Sequence, residues 1–390
     1  TDAAAMAFDR AYRMDFDSRA TESALYGYAA ARTRGGRIPF SSSVPLLEEY
    51  LRRFPDAPNT ADVREYLATA YYNEKDYAKA WQSISRIKNP DARMLAAKQK
   101  VAYEYGAETL AAGDAAKAAE YLRVAADMTR QDAAIARQAR FWLADALYAQ
   151  GKYSQAQTEY NAFLAGEPRS ADRTLAIYDL AYSLYMQRRY ADAAHRFAEA
   201  MSARPALPSE LNTDAALRRA DCLYYSGSTD EAIRSYSAAI SAGATGSDYA
   251  LLRRALAHGT SGDARAKIAD LSRLLKDYPD SKWAARAMLE TGLAYLDADD
   301  PSGAVSALER LTDRFPSSPE SRQAWLNIAI ARSRQGDTDK AVDAYKQLIR
   351  RWPASEEAAL GGDDLRNIYA SQHRLGELAA WLESVPGAPR

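Results

Sequence analysis

Residues Ala324 to Pro353 read AWLNIAIARSRQGDTDKAVDAYKQLIRRWP. Apolar residues recur at helical spacing on both sides of the Gly336-Asp337 pair, and Tyr345 and Leu348, three apart, fall on one helix face. Pro353 ends the second run, because proline has no N–H to donate and its ring clashes with the preceding turn. The stretch predicts two antiparallel helices, a tight turn between them and a hard stop.

The pattern recurs along the chain. With Gly336 as anchor, equivalents fall at Ile38, Lys75, Gly113, Gly151, Arg188, Gly227, Gly262, Asp299 and His373, 35 to 39 residues apart. Seven residues before the anchor stand Ala31, Ala68, Gly106, Ala144, Ala181, Ala220, Ala255, Gly292 and Ala329, and only Arg366 breaks that column. Nine after it stand Leu47, Ile84, Leu122, Tyr160, Phe197, Tyr236, Leu271, Leu308, Tyr345 and Leu382, all large and apolar. Five after it alanine recurs at Ala80, Ala118, Ala156, Ala193, Ala232, Ala304 and Ala341. Tiny residues at one slot and bulky ones at another predict a close helix–helix approach, where a bulky intruder costs about 1–3 kcal/mol.

The joins between units are equally regular. FPSSPESRQAW from Phe315 has relatives in YPDSKWA from Tyr278, WPASEEA from Trp352 and FPDAPNTAD from Phe54. Proline stands seventeen after the anchor at Pro55, Pro168, Pro205, Pro279, Pro316 and Pro353. The aromatic ahead of it (Phe54, Tyr278, Phe315, Trp352) is placed to cover the seam between units. Ser281, Ser318 and Ser355 are placed to cap the next helix, Pro319 suits a first helical position, and Glu356 and Glu357 suit the helix dipole. The predicted architecture is an all-α solenoid of about ten stacked helix-turn-helix units. Residues 1–18 read as the second helix of an incomplete unit and 19–390 as a continuous array, with a kink expected near 243–247, where the spacing contracts. A start at Thr1 without methionine, and a close on VPGAPR without a polar capping helix, read as a processed chain or a segment of a longer one.

Composition narrows the chemistry. The 390 residues carry 51 basic and 52 acidic side chains, a net charge of −1 that gives no general attraction to nucleic acid or anionic lipid. No apolar run is long enough for a membrane-spanning segment. A single cysteine, Cys222, excludes an internal disulfide or a multi-cysteine zinc site, and its column of small residues marks it as a packing thiol. His195, His258 and His373 are scattered, and His195 reads as solvent-exposed. Phosphate-loop, dinucleotide, nucleophile-elbow and EF-hand patterns are missing, so a noncatalytic chain with no cofactor and no metal is expected.

The stretch from Ala324 to Pro353 resembles the tetratricopeptide repeat family, through Trp325, Ala329, the Gly336-Asp337 turn, Ala341, Tyr345 and Pro353. The resemblance covers nearly the whole chain and implies a right-handed superhelix whose first helices line a concave groove for a peptide or protein partner. Departures are a period longer than the family's usual ~34 residues, Arg188 and Asp299 in place of the turn glycine, and Lys267 in place of alanine. The family's clamp for a C-terminal carboxylate is not matched: Asn327 fits one place, but Leu289, Leu293, Gly361 and Asp364 stand where its other polar and basic residues belong. The aromatic-Pro-x-Ser join is similar to joins in bacterial envelope proteins of the Tol-Pal coordination and outer-membrane-assembly types. That likeness implies a periplasmic or outer-membrane-associated scaffold, with a cytoplasmic scaffold, or the helical part of a larger envelope enzyme, as alternatives.

Candidate binding residues lie on the first-helix faces thirteen, nine, six and two before the anchor. They are Tyr66, Trp142, Tyr182, Arg218, Tyr225, Tyr249, Arg253 and Asn327, accompanied by Glu104, Asp145, Asp179, Asp221, Glu290 and Arg334. Tyrosine, tryptophan and arginine dominate binding hot spots, so an extended peptide or partner helix is expected there, the arginines selecting acidic partners. The competing reading is that these side chains pack between adjacent units. Tyr77, Tyr153 and Tyr190, with Tyr72, Tyr148, Tyr185 and Tyr224, are assigned to the core.

Overall fold

The structure is a computed structural model that describes residues 2–34, 43–166, 171–243 and 245–388; Ile38 and Pro168 lie outside the described residues. Every regular element among those residues is a helix. They form two compact units, Thr1–Leu207 and Pro208–Arg390. The first holds α1 (Asp2–Met14), α2 (Ser18–Arg34), α3 (Val44–Arg53), α4 (Thr60–Asn73), α5 (Tyr77–Ile84), α6 (Ala92–Ala111), α7 (Ala115–Asp127), α8 (Ala133–Ala149), α9 (Tyr153–Ala165), α10 (Ala171–Met186) and α11 (Tyr190–Ser202). The second holds α12 (Ser209–Tyr225), α13 (Thr229–Ser241), α14 (Ser247–Thr260), α15 (Ala264–Asp277), α16 (Ala284–Asp297), α17 (Pro301–Arg314), α18 (Pro319–Arg334), α19 (Thr338–Arg351), α20 (Glu356–Ser371) and α21 (Leu375–Glu383). After α1, even-numbered helices are the first and odd-numbered the second of each pair. Within each unit consecutive helices pack together, and neighbouring first helices such as α6 and α8, or α16 and α18, also touch. Each unit is thus an all-α solenoid of helix pairs.

The turns share one backbone solution. All described anchors lie in the left-handed region, with φ of 72–89° at Gly113, Gly151, Gly227, Gly262 and Gly336, and 61°, 59°, 55° and 56° at Lys75, Arg188, Asp299 and His373. The next residue's N–H reaches back to the carbonyl four before the anchor, as in Asp76 to Tyr71 (2.9 Å), Asp114 to Thr109 (3.1 Å) and Asp337 to Arg332 (3.0 Å). This satisfies the orphan carbonyls of the first helix. That same residue opens the second helix: the carboxylates of Asp76, Asp114, Asp263 and Asp300 accept from the N–H groups of Lys79, Lys117, Ala266 and Gly303. Edge-to-face tyrosines close the turn outside, at 5.5 Å for Tyr72–Tyr77, 5.2 Å for Tyr148–Tyr153 and 5.6 Å for Tyr185–Tyr190. These rings are half-buried, so they seal turns where a core role was expected.

The size columns meet each other. Ala68, Ala144, Ala220 and Ala329 are buried, as are Leu122, Tyr160, Phe197, Tyr236 and Leu308. At Gly292 an added Cβ would stand 2.4 Å from the Leu308 side chain, and at Gly106 it would stand 2.6 Å from Leu122. In these two pairs the small slot of the first helix therefore receives the bulky residue of its own second helix. Lys267, at the alanine slot, is accommodated because its ammonium pairs with Glu290 at 2.9 Å while its stem lies against Gly259. Arg366, which breaks the small column, is half-buried on α20, where the smaller Gly361 and Gly362 are buried instead.

The joins behave as the proline pattern predicts. Phe54, Tyr278, Phe315 and Trp352 end their helices at φ −127° to −139° and ψ 56–61°, outside the helical region that a following proline disfavours. Ser318 and Ser355 cap their helices, accepting from Ser321 and Ala358. Ser281 does not: its hydroxyl accepts from the N–H of Trp283 and donates to Asp248, and α16 begins only at Ala284.

Two outcomes follow for equilibrium urea unfolding. Helix propensity alone favours alanine over glycine by about 1 kcal/mol, yet Gly292→Ala should destabilise by about 1–2 kcal/mol through the clash with Leu308, whereas Gly376→Ala, with nothing near its Cβ, should be neutral or stabilising. Arg188→Gly should raise stability by about 0.5–1 kcal/mol by relieving the left-handed anchor.

Candidate functional site

In the second unit the predicted residues converge on Asp221, which is fully buried near the C-terminal end of α12. Its carboxylate accepts from Tyr236 Oη (2.5 Å), Tyr249 Oη (2.8 Å), Arg218 Nη1 (2.5 Å) and Arg253 Nε (3.0 Å). Burying a carboxylate is costly unless it is paired and hydrogen-bonded, and two guanidiniums with two phenols meet that requirement. Arg218 also lies over the Tyr249 ring at 4.9 Å, and Arg253 over Tyr224 and Tyr225 at 5.1 and 5.0 Å. Burial, then Asp221, pushes the Tyr236 and Tyr249 phenols up, so both stay neutral donors at ordinary pH. The neighbouring Cys222 thiol is buried and pushed up to about 12 by burial and then by Asp221, which makes it a packing group. Tyr225 remains 46% exposed. Asn327, on α18, stands apart from this cluster and donates to the Gln323 carbonyl of its own helix at 2.8 Å.

In the first unit Asp145 on α8 and Asp179 on α10 line one open cavity of about 340 Å³, with Tyr148, Tyr160, Tyr178 and Tyr182 as its walls. Asp145 accepts a short hydrogen bond from Tyr160 Oη. Burial holds its carboxyl up at about 6 against the lowering effect of that bond. Asp179 is raised by burial and then by Asp145. Neither has a salt-bridge partner among the described residues. The Tyr182 ring packs on Tyr178 (5.1 Å) and Phe197 (5.2 Å). Trp142 is half-buried, its Nε1 donating to Tyr103 Oη at 3.2 Å and its ring edge-on to Phe141. Tyr66 is 6% exposed and belongs to the core around Leu47, Val63 and Ile84.

The structure thus unites Arg218, Tyr249 and Arg253 around a carboxylate, with Tyr225 stacked on Arg253, and places Trp142, Tyr182 and Tyr66 in separate settings. Sequence reasoning assigned Tyr160 and Tyr236 to the bulky ladder alone, and their second role as carboxylate donors was missed. A signal was present: aspartate occurs six before the anchor only at Asp145 and Asp221, and both units carry tyrosine nine after it. Among the described residues no group of three or more metal-ligating side chains converges.

Models of the tetratricopeptide repeat match residues 40–93, 178–247 and 289–356, and a second model of the same repeat matches 138–170 and 249–281, together more than half of the chain. No curated protein matches the sequence. Among solved structures the chain is similar to PilW, described as a widely conserved type IV pilus biogenesis factor (19% identity, 57% of this chain and 96% of that one, TM-score 0.42). It is similar to PilF of Pseudomonas aeruginosa (17%, 58% and 96%, TM-score 0.41) and to a tetratricopeptide repeat protein of Parabacteroides merdae ATCC 43184 (15%, 64% and 92%, TM-score 0.46).

The paired carboxylates give a pH signature. Unfolded aspartates titrate near pH ~4, so between about pH 4 and 6 the folded chain holds more protons than the unfolded one, and stability falls as pH rises through that window. Asp179→Asn should raise stability at neutral pH by about 1 kcal/mol and flatten this dependence, as read from urea unfolding at neutral pH and near pH ~5. An unchanged slope would mean that the two carboxylates do not interact.

Proposed function

The chain belongs to the tetratricopeptide repeat family, and from that premise we propose that it is a noncatalytic scaffold that binds a peptide or partner protein along its first-helix faces. The carrying observation is Tyr225. It is 46% exposed, yet held in place by the Tyr224 ring at 5.5 Å and the Arg253 guanidinium at 5.0 Å. An aromatic that is rigid before contact loses little conformational entropy on binding, which is how a hot-spot anchor works. Trp142 offers a second half-buried aromatic in the first unit. Arg218 pairs with Asp214 at 3.4 Å as well as with Asp221, and Arg253 pairs with Asp221, so their role is to stiffen this anchor, and the acidic-partner preference expected of them loses its basis.

We further propose a place in the bacterial envelope, supported by the aromatic-Pro-x-Ser joins at Tyr278, Phe315 and Trp352. No described helix is long and apolar enough to cross a membrane.

The test is affinity capture of a partner by the wild-type chain, its identification by mass spectrometry, and titration against variants. Trp142→Ala and Tyr225→Ala should each weaken that partner by more than about 1 kcal/mol, with helicity by circular dichroism unchanged. Equal affinity of both variants and the wild type would remove the proposed binding face.

A further inference from the structure

Three register positions meet at one spot beside the bulky ladder: six before an anchor, nine after that anchor, and nine before the next. In the second unit they are Asp221, Tyr236 and Arg253, and the arginine reaches the aspartate at 3.0 Å. In the first unit they are Asp145, Tyr160 and Asp179. The phenol-to-carboxylate bond is the same in both, from Tyr236 to Asp221 and from Tyr160 to Asp145. Three further substitutions separate the sites. Arg218 is replaced by Trp142, so the second cation is lost, and Tyr249 and Tyr225 are replaced by Leu175 and Ala149, so a phenol on Asp221 and a ring on Arg253 are lost. The second-unit site holds one carboxylate and two guanidiniums. The first-unit site holds two carboxylates, no basic side chain on its walls, and open space of about 340 Å³.

We propose that the Asp145–Asp179 cavity binds the guanidinium of an arginine side chain presented by a partner, in the position that Arg253 fills from within the chain at Asp221. The occupied equivalent shows that this three-point register fits a guanidinium, and that tyrosine rings flank it, since Arg253 lies 5.1 Å from the Tyr224 ring. Tyr148 stands three before its anchor as Tyr224 does, and it walls the open cavity with Tyr178 and Tyr182. Buried acids elsewhere in this chain carry their own cations: Glu290 has Lys267 and Arg286, and Asp270 has Arg254. Planar guanidinium suits both a carboxylate pair and stacking on aromatic faces. An entering cation also offsets the burial that raises both carboxyls and the Asp145 charge that adds to it at Asp179. The inference rests on the scaffold reading above and names the side chain that one of its faces selects.

The test uses an acetylated and amidated Gly-Gly-Arg-Gly-Gly peptide, and its uncharged isostere with citrulline for arginine, titrated by saturation-transfer NMR against the whole chain at neutral pH. The arginine peptide should bind, and the citrulline peptide should bind at least about tenfold more weakly. Asp179→Asn should weaken the arginine peptide by about the same factor. Asp179→Arg should rebuild the second-unit arrangement, raising the melting temperature and abolishing peptide binding. Failure of the arginine peptide to bind, equal binding of the two peptides, or an Asp179→Asn variant that binds as wild type would each overturn the proposal. The citrulline arm needs no variant, so loss of folding cannot imitate it. Because the probe carries one side chain, its failure leaves the aromatic face to be judged separately through Trp142 and Tyr225.

Discussion

Everything in this fold depends on how closely the two helices of a pair approach. The contact works because one partner gives up its side chain: Gly292 meets Leu308 and Gly106 meets Leu122 with no room for a methyl group between them. Dense packing of this kind tolerates neither a void nor an intruder. The second helix therefore supplies the bulk, through residues such as Leu271, Leu308 and Tyr345, and the first helix supplies the surface they press on. With one slot held by alanine and glycine and others by core residues such as Phe141, Leu143 and Leu289, the first helix still has positions beside the ladder that packing does not dictate. Those positions carry Trp142, Asp145, Asp179 and Tyr225, and the buried Asp221.

Most of this was legible because a hard-sphere constraint repeats identically in each unit and so leaves a mark at fixed spacing. Ala68, Ala144, Ala220 and Ala329 could be assigned to the seam before any coordinates, and they are buried there. The turns were legible twice over at glycine and only through register at Lys75, Arg188, Asp299 and His373. A side chain in the left-handed region costs about 1 kcal/mol, and residue type alone would not place it there. The two hydrogen bonds that close each turn, such as Arg188 to Tyr185 and Arg189 to Leu184, fix the backbone strongly enough to carry that cost. Periodicity gives direction but not depth, which is why Tyr72, Tyr148 and Tyr185 were assigned to the core when they lie half-buried against a second tyrosine at the turn.

The candidate site was legible by face and not by partnership. Column reading placed Arg218, Tyr225, Tyr249 and Arg253 on exposed-facing positions, yet it treated each as an independent contact. Three of them are spent on one buried carboxylate. Pairing of this kind crosses from one repeat into the next, so it depends on three columns at once, and a single column cannot report it. Tyr345 illustrates the rule in another unit: with Ile330 six before its own anchor, its hydroxyl turns to Asp364, nine before the next one, at 2.8 Å.

The same three columns explain how a uniform scaffold becomes locally specific. Exchanging arginine for aspartate at Arg253 against Asp179, together with Arg218 against Trp142 and Tyr249 against Leu175, keeps the helices and turns, yet it replaces a cluster of paired charges with two carboxylates in an open cavity. Uncompensated, half-buried carboxylates lower the stability of the chain that carries them, and perturbed acids of this type concentrate where a protein meets a ligand. Repeat arrays tolerate such a site because stability is set unit by unit and neighbour by neighbour, so a local loss is confined to the helices that flank it. A fold built on interchangeable pairs can therefore place a destabilising charge at one register position while its neighbours keep the ladder intact.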